Sequence, residues 1–148
     1  MRLSVKEAGL FITCIGIDRL SKIWALENLW GGEGKTLLLP FFRLKLTFNE
    51  GSLWGLKVFE NNLWWIVITA ILIGGLYFFH INKTGFKIGR SLIVSGAIGN
   101  LIDRLSYGKV IDFISIYKWP IFNLADAFMT IGLIFLFMIF FINRDDNN

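Results

Sequence analysis

The sequence predicts a mainly α-helical membrane protein of one domain, residues 1–148, with four transmembrane helices and a small β platform between the first two helices. Hydrophobic residues, aromatic ones included, make up 55% of the 148 residues, and the mean hydropathy is +0.60. Soluble domains are rarely so apolar, so this composition indicates a bilayer environment. One segment, residues 42–48, instead alternates between apolar and polar side chains, which indicates a strand.

The first helix is predicted at about residues 8–26, where an apolar run is followed by charged residues and a second short apolar run. A cleaved signal peptide is the alternative, because a basic start and a short apolar run also fit one. On the helical interpretation, Asp18, Arg19 and Lys22 lie near the far end of the helix. They are then either structural charges or groups that orient a substrate.

The platform is predicted at about residues 36–60. Every second residue of the segment 42–48 is apolar, which places these side chains on one face of a strand. A turn begins at Asn49, since Asn, Glu and Gly follow one another there. The segment 52–59 then returns either as a second strand or as a short helix.

Three more helices are predicted at about residues 63–81, 89–105 and 119–142. The first of them carries no Asp, Glu, Lys or Arg over a length that can cross a bilayer. The second is rich in small residues, which allow close helix packing in lipid. Pro120 suits the first turn of the last helix, where a missing amide hydrogen costs nothing. Residues 106–118 are predicted to be the connecting loop.

Four spans place both chain termini on one side of the membrane. The basic connection at about residues 80–90 favours the cytoplasm for that side, so the platform is extracytoplasmic. Trp54, Trp64 and Trp65 are candidate anchors at that membrane surface, because tryptophan is enriched at membrane interfaces.

Several kinds of functional site are excluded by residue counts. The sequence has one cysteine, Cys14, and one histidine, His80. An intrachain disulfide, a cysteine- or histidine-rich metal site and a Ser-His-Asp triad therefore cannot be built. The basic residues are scattered between apolar segments, which does not favour nucleic-acid binding. A hydrolase built from this sequence must use carboxylates, and we expect no metal and no cofactor.

Polar residues cluster around the third and fourth predicted helices. Asn100 and Asp103 are three residues apart and share one helix face, and Asn123 and Asp126 repeat this spacing. Asp112 lies between the two helices, where a short loop can fold it back against Asp126. Two close carboxylates share one proton, so one can polarise a carbonyl while the other takes a proton from water.

The same residues have other interpretations. Buried Asp and Asn side chains in membrane helices often only bond neighbouring helices or the backbone, and Asp103 beside Arg104 is then an ion pair or a helix-end support. A small proton-coupled transporter or channel, in which aspartates relay protons, is the rival function. A non-catalytic assembly factor is a third.

Five blocks carry a more specific signal. They are DRLSK (18–22), NEGSLWG (49–55), GAIGNLIDR (96–104), GKVIDF (108–113) and FNLAD (122–126). In this order, and on a four-helix hydropathy pattern, they closely resemble bacterial lipoprotein signal peptidase, also called signal peptidase II. The resemblance covers about residues 8–142.

This resemblance implies a metal-free aspartic endopeptidase of the bacterial cytoplasmic membrane, with its site near the extracytoplasmic surface. The family removes the signal peptide from diacylglyceryl-modified prolipoproteins, on the amino side of the lipidated cysteine. By position, Asp112 and Asp126 are then catalytic. The supporting or substrate-binding positions are Asn100, Asp103, Arg104, Asn123, Asn49, Asp18 and Lys22. Membrane lipids and globomycin-type peptide inhibitors are the other implied partners, and we expect a monomer.

Overall fold

The structure is a computed structural model that describes residues 4–31, 35–36, 41–50, 52–53, 56–57, 62–78 and 84–145. It is mainly helical with a small antiparallel sheet, as predicted. Its elements are α1 (Val5–Leu29), β1 (Lys35–Thr36), β2 (Phe42–Asn49), β3 (Ser52–Leu53), β4 (Leu56–Lys57), α2 (Asn62–Phe78), α3 (Thr84–Tyr107), β5 (Val110–Ile116) and α4 (Leu124–Asp145).

Helices α1 and α3 run parallel to each other. Glu7 binds Arg90 near the beginning of both helices, and Lys22 binds Asn100 near their ends. We call the end of the bundle that holds Glu7 and Arg90 the far end. The opposite end, where α1 and α3 finish, is called the site end.

Helix α4 runs antiparallel to α3, and glycines line the contact between them. A Cβ atom added to Gly96 would collide with the carbonyl oxygen of Ala125, at the beginning of α4. Towards the far end, a Cβ atom added to Gly132 would lie 2.6 Å from the carbonyl oxygen of Gly89. Side chains at these positions would force the two helices apart, so small residues set their separation.

The sheet lies at the site end and has the strand order β1–β2–β5, with both pairs antiparallel. The alternation predicted for residues 42–48 is confirmed, because the apolar face of β2 packs on a small core. That core consists of Ala25, Leu29, Phe113 and Ile114. Strands β3 and β4 pair with each other, which favours the strand interpretation of residues 52–59.

Strand β5 lies where a loop was expected, within residues 106–118. Helix α3 ends at Tyr107, and Gly108 follows with a φ of 72°, a conformation that suits glycine at a helix end. The first five residues of β5 are buried on both faces, so the strand shows no alternation that would reveal it. Its Val and Ile content was the available signal.

The helix bounds also differ from the prediction. Helix α4 begins at Leu124, not near 119, because Phe122 is still extended and pairs with Ile114 of β5. Pro120 therefore precedes the helix and does not occupy its first turn. Helix α1 is longer than predicted, since Ser4 caps it at the start, and α3 begins at Thr84, not near 89.

Within the described residues, one segment is long and apolar enough to cross a bilayer, Leu124–Phe141, and Leu63–Leu76 is a shorter apolar segment. Of the expected interfacial anchors, Trp64 is exposed, whereas Trp65 is buried. Trp54 and residues 79–83, which include the start of the basic connection, lie outside the described part of the chain.

Candidate active site

Asp126 lies in the first turn of α4 and is held by the residue that caps this helix. The backbone N–H of Asp126 donates to Asn123 Oδ1 at 3.0 Å, and the backbone N–H of Asn123 donates to Asp126 Oδ2 at 3.2 Å. This reciprocal arrangement satisfies two amides at the helix start. The positive end of the helix dipole also favours a negative charge there. Local sequence therefore positions this carboxylate.

Asn100 of α3 gives Asp126 a second partner. Its Nδ2 donates to Asp126 Oδ1 at 2.7 Å. Its Oδ1 accepts hydrogen bonds from Lys22 Nζ and Asn123 Nδ2, both at 3.0 Å. Because two donors occupy the amide oxygen, the amino group of Asn100 is directed at the carboxylate.

Asp112 projects from β5 and is 2% exposed. Asn123 Nδ2 donates to its Oδ1 at 2.7 Å, and Asn49 Nδ2 of β2 donates to its Oδ2 at 3.1 Å. Asn123 thus contacts both Asp112 and Asp126, which we call the pair. Sequence spacing places Asp112 and Asp126 on different elements, and the tertiary fold brings both into contact with this one residue, Asp112 with its side chain and the Asp126 carboxylate with its backbone N–H.

The electrostatic setting of Asp112 favours its protonated form. Burial, and then the charge of Asp126, raise the pKa of Asp112 to about 7. The hydrogen bonds from Asn49 and Asn123, and the charge of Lys22, oppose this rise without cancelling it. Below about pH 7 the pair therefore holds at least one proton, because coupled carboxyls titrate together.

Asp103 does not pair with Arg104, contrary to one interpretation of the sequence. It binds Arg19 Nη2 at 2.6 Å and Lys22 Nζ at 2.7 Å. Consecutive helical residues point in different directions, so Asp103 faces α1 while its neighbour does not. The Arg104 guanidinium lies over the ring of Trp65, 4.8 Å from its centre, and its charge acts on both members of the pair.

Asp18 and Lys22 lie within the bundle, where they contact other protein groups. Asp18 is 0% and Lys22 1% exposed, and they bind each other at 3.0 Å. Gly99 belongs to this region although its residue type carries no chemistry. A Cβ atom there would lie 2.7 Å from Asp18 Oδ2, so the glycine leaves room for the carboxylate.

The arrangement suits general acid–base chemistry on a bound carbonyl compound. Asp112 is buried and its raised pKa favours the protonated form, whereas Asp126 is half-buried at a helix start. Acid and base roles can therefore be divided between them. In the described part of the chain, no three His, Cys, Asp or Glu side chains are grouped to hold a metal ion.

Comparison with known proteins agrees with the resemblance carried by the five blocks. Residues 10–142 match the family described as Signal peptidase (SPase) II. The lipoprotein signal peptidase of Clostridium tetani is 43% identical over 94% of this chain and 94% of its own length. That of Clostridioides difficile is 38% identical over 89% of this chain and 93% of its own.

A solved bacterial membrane enzyme has a similar structure, with a TM-score of 0.89 and 26% identity over 97% of this chain and 92% of that one. The fold is therefore that of an integral membrane protein. With the family match and the named relatives, the chain is a peptidase that belongs to the signal peptidase II family.

Proposed function

We propose that this protein removes the signal peptide from diacylglyceryl-modified prolipoproteins by hydrolysing the peptide bond on the amino side of the lipidated cysteine. Its family is that of signal peptidase II, and its relatives are named lipoprotein signal peptidases. The observation that carries the mechanism is the contact of one residue, Asn123, with both Asp112 and Asp126, at 2.7 and 3.2 Å.

In the proposed reaction, protonated Asp112 donates a hydrogen bond to the scissile carbonyl oxygen. Ionised Asp126 takes a proton from a water molecule, whose oxygen bonds to the carbonyl carbon. The C–N bond then breaks, the carbonyl re-forms, and Asp126 passes its proton to the leaving nitrogen of the cysteine. We assign the acid role to Asp112 because its pKa is raised to about 7, and the base role to Asp126 because a helix start favours a negative charge.

The neighbouring residues have supporting roles in this proposal. Asn100 holds Oδ1 of Asp126 by its amino group, and the backbone N–H of Asn123 holds Oδ2, so the carboxylate is fixed in orientation. Asn49 ties the sheet to Asp112. The charge of Arg104 acts on both aspartates and would stabilise the negative charge that develops on the carbonyl oxygen.

For the membrane setting, we propose that α1 to α4 cross the bacterial cytoplasmic membrane with the site end extracytoplasmic and both termini cytoplasmic. Support comes from α4, whose span-length apolar segment exposes Phe137 and Phe140 at 65% and 66%. Ile71 of α2 is similarly exposed, at 69%. Apolar surface of this extent is expected to face lipid.

The substrate is proposed to enter from the lipid and to lie extended between the sheet and the bundle. Strand β2 supports this geometry, because it pairs with β5 and also supplies Asn49 to Asp112. Membrane lipids and globomycin-type peptides are the other proposed ligands of this monomeric enzyme.

The test is cleavage of a purified diacylglyceryl-modified prolipoprotein by the purified protein in detergent, followed by gel shift and mass spectrometry. We expect a product that begins at the lipidated cysteine, and inhibition by globomycin. Asp112→Asn and Asp126→Asn should each reduce the rate by at least about 10³-fold, because each removes the acid or the base.

The matched control is Glu27→Gln, which makes the same chemical change at an exposed position of α1. It should cleave at the wild-type rate. Cleavage by Asp126→Asn close to the wild-type rate would refute the proposed mechanism. Proton flux in liposomes without any cleaved product would instead support the transporter or channel alternative.

A further inference from the structure

Four charged side chains lie together between α1 and α3, next to the pair. They are Asp18, Arg19 and Lys22 of α1 and Asp103 of α3, and we call them the anchor cluster. Three of them are at most 1% exposed, so the cluster holds charges of both signs away from water. Loss of one partner would leave an uncompensated buried charge, which is costly.

Each carboxylate of the anchor cluster binds one backbone amide. Asp103 Oδ2 accepts a hydrogen bond from the backbone N–H of Ile111 at 3.2 Å. Asp18 Oδ1 accepts one from the backbone N–H of Ala125 at 3.0 Å. These two amides belong to the residues immediately before the two members of the pair. Each contact therefore fixes the backbone from which one reacting carboxyl projects.

Lys22 links the two carboxylates that make these backbone contacts, because it binds both Asp18 and Asp103. Its Nζ lies 3.0 Å from Asp18 Oδ2 and 2.7 Å from Asp103 Oδ2, and it donates to Asn100 Oδ1 at 3.0 Å. An ammonium group has three donors, so all of them are used. Because Asn100 in turn binds Asp126, Lys22 also helps to direct the amide that holds the base.

Arg19 makes a second link between the same carboxylates. Its Nη2 lies 3.2 Å from Asp18 Oδ2 and 2.6 Å from Asp103 Oδ1. The cluster is therefore balanced in charge, with two cations and two carboxylates. Both carboxylates in it are paired with cations, whereas Asp126 accepts from neutral amides, so the cluster is not suited to act as the base.

We propose that Asp18 and Asp103 are positioning residues, each of which fixes the backbone of one member of the pair, and that Lys22 holds them in register. This inference rests on the peptidase function proposed above. The anchor cluster takes no part in proton transfer. Its role is to hold the carboxyls of Asp112, on a strand, and Asp126, on a helix, at a constant separation.

The first experiment compares Asp18→Ala with Asp18→Asn in the cleavage assay. Asparagine keeps a side-chain oxygen that can accept the hydrogen bond from the backbone N–H of Ala125, whereas alanine has no such oxygen. We expect Asp18→Ala to lower kcat by about 10²-fold, the effect of misplacing a reacting group by about 1 Å. KM should stay unchanged, and Asp18→Asn should recover most of the lost kcat. Equal losses in both variants would overturn the positioning role.

The second experiment measures the titration of Asp112 by ¹³C NMR of its carboxyl carbon in detergent micelles, which needs no cleavage. The charged and hydrogen-bonding groups around Asp112 are Lys22 of α1, Asn49 of β2, Arg104 of α3, and Asn123 and Asp126 at the start of α4. Lys22→Met removes one cation from this set. The titration midpoint of Asp112 should therefore move to higher pH, by about one pH unit for a nearby charge.

The control is Arg90→Met, which breaks a buried ion pair between the same two helices at the far end, where Arg90 binds Glu7 at 2.7 Å. It should leave both the titration of Asp112 and kcat per folded molecule unchanged. An unshifted midpoint in folded Lys22→Met would refute the role of Lys22. If Lys22→Met does not fold, the Asp18 variants decide. A wild-type protein that does not cleave would refute the proposed function, while the titration would still test the anchor cluster.

Discussion

Two helices of this protein begin with the same local device but use it differently. Ser4 and Glu7 form a reciprocal capping box at the start of α1, at the far end. Asn123 and Asp126 exchange the corresponding hydrogen bonds at the start of α4, at the site end. In both cases a carboxylate in the first helical turn accepts a hydrogen bond from the backbone N–H of the capping residue.

The difference between the two boxes lies in the tertiary partner of the carboxylate. Arg90 binds Glu7 at 2.7 Å, so that carboxylate is neutralised by a cation inside the bundle. Asp126 is instead bound by a neutral amide of Asn100, also at 2.7 Å, and its charge acts on a second carboxyl, Asp112. A capping box thus fixes the position of a carboxylate. Whether that carboxylate stabilises the fold or can exchange a proton depends on the tertiary partner beside it.

The largest expected effect separates the two boxes by function. Asn123→Ala and Ser4→Ala should each cost about 1 kcal/mol of stability, because each removes a helix cap. Only Asn123→Ala should also lower kcat/KM, by about 10² to 10³-fold, since it removes the donor to Asp112 and the acceptor of the Asp126 backbone N–H. Thermal unfolding and the cleavage assay measure the two quantities. An equal loss of activity in Ser4→Ala would show that the boxes are not functionally distinct.

The next effect compares the two ends of the α3–α4 contact. Gly96→Ala and Gly132→Ala should each lower stability by about 1 to 3 kcal/mol through overpacking. Gly96→Ala should also lower kcat, because the added methyl meets the carbonyl of Ala125, next to Asp126. Gly74→Ala is the control, since nothing lies within 4 Å of a Cβ atom at that position of α2. If Gly132→Ala lowered kcat per folded molecule as strongly, the site end would have no special role.

The smallest effect concerns pH. Because the pKa of Asp112 is raised from 3.8 to about 7, the rate should fall as pH rises through about 7 and Asp112 loses its proton. By the same shift, the stability that protonated Asp112 contributes is complete below about pH 4 and is lost as pH rises through about 7.

Asn49→Ala removes a hydrogen bond that stabilises ionised Asp112. The fall of the cleavage rate at alkaline pH, the alkaline limb of the pH–rate profile, should therefore move to higher pH. The shift should be less than about one pH unit, because one such bond is worth about 1 kcal/mol. Ser4→Ala should leave the pH–rate profile unchanged. A limb that moves to lower pH in Asn49→Ala would contradict the electrostatic account of Asp112.

Much of the protein could be predicted from sequence because the relevant signals are local. Alternation in residues 42–48 revealed β2, and apolar runs revealed the helices. The five motif blocks identified the family. Helix starts were less accurate, because Pro120 is compatible with a first turn, whereas the extended pairing of Phe122 with β5 delays the helix to Leu124.

Only the tertiary structure decided which charged groups meet. Asp103 lies beside Arg104 in sequence but binds two cations of α1, because the helix turns its side chain away from its neighbour. Asp18, more than a hundred residues from Ala125, binds the amide of that residue. Sequence by itself determined which residue types are present and the approximate positions of the helices and β2, since these depend on neighbours along the chain. Which buried charges contact each other depends on packing between elements, so only the tertiary arrangement of α1, α3, α4 and the sheet determines these contacts.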